Sequence, residues 1–505
     1  MTEQNKKPVE EFLPDLALRR GLKETSTRGG FHLLLSQVGQ GALTLCSTVV
    51  LARLLVPEDF GLVGMGMVVI NLLLPIVNLN LSKATIQRKE LLQSQVSNLF
   101  WFNTAAGAFL ALLVALSSVG ISSLFNEIRL ARVIPLLSIS LLLQGTLVQH
   151  RGLMGRFMRF GRITCASLLA KLVSTAAAIG LALMGAGYWS LVAMQLIQNG
   201  TLVLGFWALC PWRPSLPSRG ADTRSFFRFG QDLTLGSILG TLSLNLDQAL
   251  IGGLFGPSTL GLYRKAHNLI RKALVTLRGP LTSVMLSAMS RLQDRQQEYR
   301  AYFSKGTALT AFIAMPLVAY LMVNGDHVVL LLLGEKWMGT VFFIKAFAVA
   351  GFFETVMQVG GVVLMSLGRT RKLLAIRVIR HALRLAAIVA GLHWGASGVA
   401  TAYCVITVVS FVPVMGSSFS NTPVSMRVFL DAVWRPALCS IMMGTVVFYF
   451  RRFLPTMHVI QIVLVEMSIS LVVYFVLWCL CPGGPGILRR YGSYGKLLFV
   501  RQAST

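Results

Sequence analysis

The sequence predicts an all-α, polytopic membrane protein of about fourteen transmembrane helices, arranged as two pseudo-symmetric six-helix lobes around a central cationic cavity. Three observations predict it. Apolar windows of about 20 residues, long enough to cross a bilayer, recur along the chain. Charged residues make up 13% of the 505 and hydrophobic ones 54%, with a mean hydropathy of +0.68. A soluble domain carries about 25% charge. The third observation is a turn motif that returns 200 positions later. The composition excludes a cytosolic enzyme, a disordered chain and a disulfide scaffold.

Taken in order, a polar tail (1–30) without the apolar core of a signal peptide precedes windows near 31–54, 61–81, 96–119, 131–149, 163–184 and 187–209. These form a first lobe, 31–210. A basic linker, 211–228, leads to windows near 229–254, 260–288, 306–325, 341–367, 373–394 and 396–416, the second lobe, 229–420. Windows near 431–450 and 459–481 are accessory helices within 421–482, followed by a polar tail, 483–505. No connection is long enough for a further domain. A count of twelve crossings instead of fourteen stays open, because 229–254 is interrupted by polar residues and 260–288 by charges.

Loop charge supports this order. Lys83, Arg88 and Lys89, then Arg151, Arg156, Arg159 and Arg162, then the arginines of 213–228, 291–300 and 369–371 all fall on one side with both tails. The other side holds only Arg53, Arg129, Arg132, Lys336, Arg451 and Arg452. Basic loops stay cytoplasmic, so both termini are expected there. The same bias accounts for most of the formal net charge of +27, and no nucleic-acid partner is expected. The seven cysteines lie mostly in apolar segments, have no CxxC pair and read as small core hydrophobes.

The repeat pairs Leu54-Leu55-Val56-Pro57-Glu58-Asp59-Phe60-Gly61-Leu62 with Leu254-Phe255-Gly256-Pro257-Ser258-Thr259-Leu260-Gly261-Leu262. In both copies an X-Pro turn stops one helix and Gly-Leu opens the next. Six helices separate the copies, so the lobes face the same way, an arrangement suited to alternating access.

Charges inside the windows need an explanation, since one near the bilayer centre costs at least about 2.5–3.5 kcal/mol. In the eighth window Arg264, Arg271 and Arg278 recur every seven residues on one stripe with Asn268, with Lys265 and Lys272 one step round. Arg271 lies about 15 Å beyond Gly261 along the helix. Its stripe maps in the first lobe onto Gly64, Asn71 and Asn78. In the eleventh window Arg377, Arg380 and Arg384 share a face, with His381 beside them. Cations lining one wet cavity would grip a phosphate or diphosphate through guanidinium forks. Each of the few carboxylates in the windows, Asp232, Asp247, Glu354 and Glu466, could partner an arginine or bind a coupling H+ or Na+, and Asp247 and Glu354 are the better candidates for coupling.

HExxH, GxxxxGK[ST], paired Asp-x-Asp and GxSxG are absent; no cofactor or metal is expected, and no enzymatic activity. Leu246 to Gly256 running into Leu260-Gly261-Leu262-Tyr263-Arg264-Lys265-Ala266, the Leu54 to Gly61 turn and Leu333-Gly334-Glu335-Lys336-Trp337 resemble the Wzx-type lipid-linked oligosaccharide flippases. That family belongs to the multidrug/oligosaccharidyl-lipid/polysaccharide exporter superfamily, and its colanic-acid-exporter subset is most alike. The resemblance covers about residues 25–420. It implies a bacterial inner-membrane protein that moves an undecaprenyl-diphosphate-linked repeat unit outward for O-antigen, capsule or exopolysaccharide synthesis. It also implies membrane lipid and polysaccharide-assembly proteins as partners; a monomer is expected because one chain holds both lobes. Two alternatives are a cation-coupled multidrug exporter, which needs an acidic cavity, and a membrane-embedded polymerase or ligase, which needs a large outer loop.

Overall fold

The computed structural model describes residues 39–88, 90–218, 223–453 and 458–482. Both predicted tails, 1–30 and 483–505, and residues 219–222 of the predicted linker lie outside them. Fifteen helices are named below among the described residues: α1 (39–54), α2 (Pro57–Asn78), α3 (Leu81–Gln87), α4 (Gln93–Leu116), α5 (Ser118–Leu124), α6 (Leu130–Arg156), α7 (Phe160–Leu183) and α8 (Tyr188–Leu209). The series continues with α9 (Arg224–Arg291), α10 (Gln296–Leu332), α11 (Thr340–Ser366), α12 (Thr370–Gly391), α13 (Gly395–Phe419), α14 (Met426–Phe450) and α15 (Val459–Leu480). The protein is all-helical and crosses a membrane many times. Among the described residues, ten stretches are long and apolar enough to do so. Leu112, Leu116, Val409, Val412 and Val472 remain exposed, the apolar exterior that lipid requires.

Two compact units divide the chain between Arg264 and Lys265, inside α9. In the first, α4 and α2 pack on α6, and α7 and α6 on α8, around a core that includes Leu99, Phe100, Leu153, Phe206 and Trp212. Residues 210–218 are not a loose tether. Trp212 is fully buried and donates from Nε1 to Gln93 Oε1 at 2.6 Å, while Trp101 Nε1 and Asn98 Nδ2 donate to the Ser215 and Ser218 carbonyls at 2.8 and 2.9 Å. α2 ends where Leu79 and Asn80 turn left-handed, φ 41° and 48°. The Val77 carbonyl left there accepts Asn103 Nδ2 at 2.6 Å, which starts a buried chain through Gln149 to Thr85.

The repeated turns meet within this unit. Pro57 opens α2 at its first turn, where its missing N–H costs nothing, and the Val56 amide donates to the Asp59 carboxylate at 3.2 Å. In the second copy α9 breaks at Gly256, φ 79° and ψ 175°, a region only glycine enters readily. A Cβ on Gly61 would overlap the Pro257 carbonyl, and a Cβ on Gly261 would overlap the Pro57 carbonyl. The two copies thus cross reciprocally, each glycine seating the other copy's proline. Three residues on, Gly64 leaves room for its counterpart Arg264, whose Nη1 would lie 2.8 Å from a Cβ there.

In the second unit α10 packs with α11, α14 and α15, α11 and α12 pack with α13, and α14 packs with α15. Its core includes Met289, Phe303, Val359, Val363, Met415 and Phe429.

Candidate functional site: a cationic cavity in the second unit

The site grows from three helices. Leu274 and Ile270 of α9 pack on Gly351 of α11, so one turn further along each helix Arg278 Nη1 reaches the Glu354 carbonyl at 3.4 Å. On α12, Val378, Ile379, Leu383 and Leu385 are exposed, while Arg380, His381 and Arg384 turn inward. From α13, Tyr403, Thr407 and Ser410 face them. Tyr403 donates its hydroxyl to Glu354 Oε1 at 2.6 Å, and the Arg384 guanidinium lies 4.1 Å over the Tyr403 ring.

These groups close around a cavity of about 30 Å³ lined by Glu354, Met357, Arg380, His381, Arg384, Tyr403, Ile406, Thr407 and Ser410. That volume is close to one water's share of liquid. Three guanidiniums, those of Arg278, Arg380 and Arg384, act on the one carboxylate of Glu354, and Arg278 feels Arg271 and Arg380 as like charges. The cluster is therefore held together by one acid and keeps a cationic surplus.

Of the residues singled out from sequence, Arg278, Arg380, Arg384 and Glu354 come together here. Arg271 lies within electrostatic reach of Arg278 and is exposed, as is Arg377, one turn before Arg380. Lys265 lies 5.0 Å over the Trp337 ring, Lys272 is exposed and Asn268 half-buried. Arg264 belongs to the first unit beside Gly64, as do the half-buried Asn71 and Asn78. Asp247, fully buried in the first unit, accepts the Tyr263 hydroxyl at 2.9 Å. Tyr403, Thr407 and Ser410 were not anticipated. Their spacing of four and then three puts three hydroxyls on one helical face, a readable signal overshadowed by the arginines. Glu466 pairs with His327, not with an arginine.

With that geometry in place, the sequence can be set beside known proteins. The profile of a family described as "Polysaccharide biosynthesis protein" matches residues 50–342. This chain belongs to that family. The chain is 27% identical over 438 residues to the lipopolysaccharide biosynthesis protein WzxC of Escherichia coli K12, covering 83% of this chain and 86% of the relative. It is 24% identical over 379 residues to the teichuronic acid biosynthesis protein TuaB of Bacillus subtilis 168, covering 74% and 78%. Its fold is that of the lipid II flippase MurJ in an inward closed conformation: TM-score 0.71 at 12% identity, covering 89% of this chain and 98% of the other.

Proposed function

We propose that this protein is a flippase which carries an undecaprenyl-diphosphate-linked oligosaccharide repeat unit from the cytoplasmic to the outer leaflet of a bacterial inner membrane by alternating access. Both termini are cytoplasmic, and the chain works as a monomer without a cofactor and without chemistry of its own. The observation that carries the reading is the cluster of Arg278, Arg380 and Arg384 on a single carboxylate between hydrophobic helices. Charges inside a bundle mark substrate or ion pathways, and a cationic surplus suits an anion. Guanidinium forks suit a diphosphate, and the surrounding hydroxyls of Tyr403, Thr407 and Ser410 suit a polar head group. Glu354 serves as the resident counter-ion: it holds the arginines together until the diphosphate displaces it. The names of WzxC, TuaB and MurJ, which speak of polysaccharide biosynthesis and of a lipid flippase, support the same cargo class.

A drug exporter of the same fold would need an acidic cavity for its cationic cargo, which this cluster does not provide. A direct test compares binding of undecaprenyl diphosphate and of uncharged undecaprenol by native mass spectrometry. The diphosphate should bind the wild type in preference, and the preference should vanish in Arg380→Gln/Arg384→Gln. Equal binding of both lipids by the wild type would refute the site.

A further inference from the structure

A second polar cluster lies apart from the arginines, between α10, the end of α14 and α15. Glu466 of α15 is 1% exposed, and its Oε1 lies 2.8 Å from His327 Nδ1 of α10. Its other oxygen, Oε2, has no hydrogen-bond partner, and neither do the Tyr320 hydroxyl or Asn324 Oδ1 and Nδ2. Tyr320 and Asn324 are 9% and 0% exposed. Tyr320, Asn324 and His327 recur at four and then three residues along α10. A buried polar atom left without a partner costs about 1–3 kcal/mol. Tyr320 lies within electrostatic reach of Glu466, so unpartnered polar atoms gather around the acid.

The backbone is opened at the same point. α10 breaks at Asn324, φ −106° and ψ 21°, and Arg451 Nη1 donates to the Val323 carbonyl at 2.9 Å while its Nη2 grips Asp326 at 2.6 Å. Two turns earlier Pro316 cannot donate to the Phe312 carbonyl, and the Tyr474 hydroxyl of α15 does so instead at 3.0 Å. Interrupted helices with a nearby acid are where transporters hold coupling ions.

We infer that Glu466 and His327, with Tyr320 and Asn324, form a proton-binding site at the break of α10. Every charged group that acts on Glu466 there is accounted for: His327 and Asp326 from α10 and Arg451 after α14. Arg451 is engaged by Asp326, which leaves the buried negative charge of Glu466 to its bond with His327. A proton from the aqueous phase joins the pair, cancels that charge, and turns Glu466 Oε2 into a donor for Asn324 Oδ1 or Tyr320. A sodium ion fits worse, because it would need several oxygen ligands and would face both the Arg451 cation and the His327 ring. His327 and Asp326 are each 24% exposed at the side chain, so the pair has a way to the surface. That way opens on the side of Arg451, the outer side by loop charge. That this proton drives lipid movement rests on the flippase reading; that it binds does not.

Infrared difference spectra of the full-length protein in lipid, taken between alkaline and acidic buffer, test the binding directly. The wild type should show a protonated-carboxyl band that is lost in Glu466→Gln and shifted in Tyr320→Phe, a milder change. No such band in the wild type, or one unaffected in both variants, would overturn the site. A band in the wild type that sodium suppresses at constant pH would overturn the choice of proton over sodium. If the band behaves as expected while reconstituted protein moves no lipid, the proton site stands and the flippase reading fails.

Discussion

Arg384 shows how much one side chain can be asked to do. Its guanidinium is stacked on Tyr403 while acting on Glu354, roles that depend on a flat, delocalised cation. Arg384→Lys keeps the charge and loses the stack, worth about 0.5–2 kcal/mol. It should weaken diphosphate-lipid binding several-fold in the native mass spectrum; unchanged binding would mean that only charge counts. A different residue-scale prediction concerns Glu127, outside the membrane-spanning helices. Arg129 bonds it at 2.8 Å and Glu58 at 2.5 Å, and the bond to Arg129 holds the Glu127 carboxyl below the usual carboxylate range. A carboxylate lowered by folding adds stability above its unfolded pKa and loses it as pH falls through the folded one. Thermal stability should therefore drop on acidification below the ordinary carboxylate range. With Arg129 and Glu58 more than a third exposed, the gain is at most about 1 kcal/mol. Arg129→Gln should flatten that part of the profile, as read by tryptophan fluorescence melts at a series of pH values.

At the scale of elements, glycine decides where the second repeat breaks. Gly256→Ala places a Cβ in a backbone region costing about 1–3 kcal/mol, so its melting temperature should fall, whereas Gly253→Ala, with only ordinary contacts nearby, should melt like the wild type. Equal melts for both would contradict the assigned break. The sequence made these elements legible because lipid imposes a long, uniform apolar signal on every crossing. It also showed the turn motif twice, and Gly61 and Gly261 turn out to be the two contact points of one reciprocal crossing. Less legible was the interruption of α10 at Asn324, since a lone Asn-Gly inside an apolar run carries no periodic signature. The anchoring of 210–218 along α4 was hidden for the same reason: Trp212 and Gln93 are 119 positions apart. Glu466 was one of several acids that could partner an arginine or a coupling ion, because sequence spacing cannot show that His327 lies opposite it.

At the scale of the whole molecule, the proposed topology, with an even number of crossings and its basic loops inside, would put both ends of the chain in the cytoplasm. A fluorescent protein fused after Thr505 should fluoresce in growing cells and an alkaline phosphatase fused there should stay inactive; the reverse pattern would invert the topology. The candidate site was half legible. Arginines at helical spacing named α9 and α12 as its walls, because unbalanced charge inside an apolar window is conspicuous. Within the seven-residue stripe of α9, Arg278 joins Glu354 and Arg264 is seated against Gly64. A straight-helix reading cannot tell which turn of a long helix meets which neighbour. The most direct measurement is translocation itself. Liposomes holding the purified protein and a fluorescent diphosphate-linked oligosaccharide are followed by quencher access to each leaflet. The wild type should equilibrate the lipid between leaflets, and Arg278→Gln/Arg380→Gln/Arg384→Gln, folded by its melting curve, should be at least tenfold slower. Equal rates for the two would contradict a cationic cavity as the place where the lipid head group crosses.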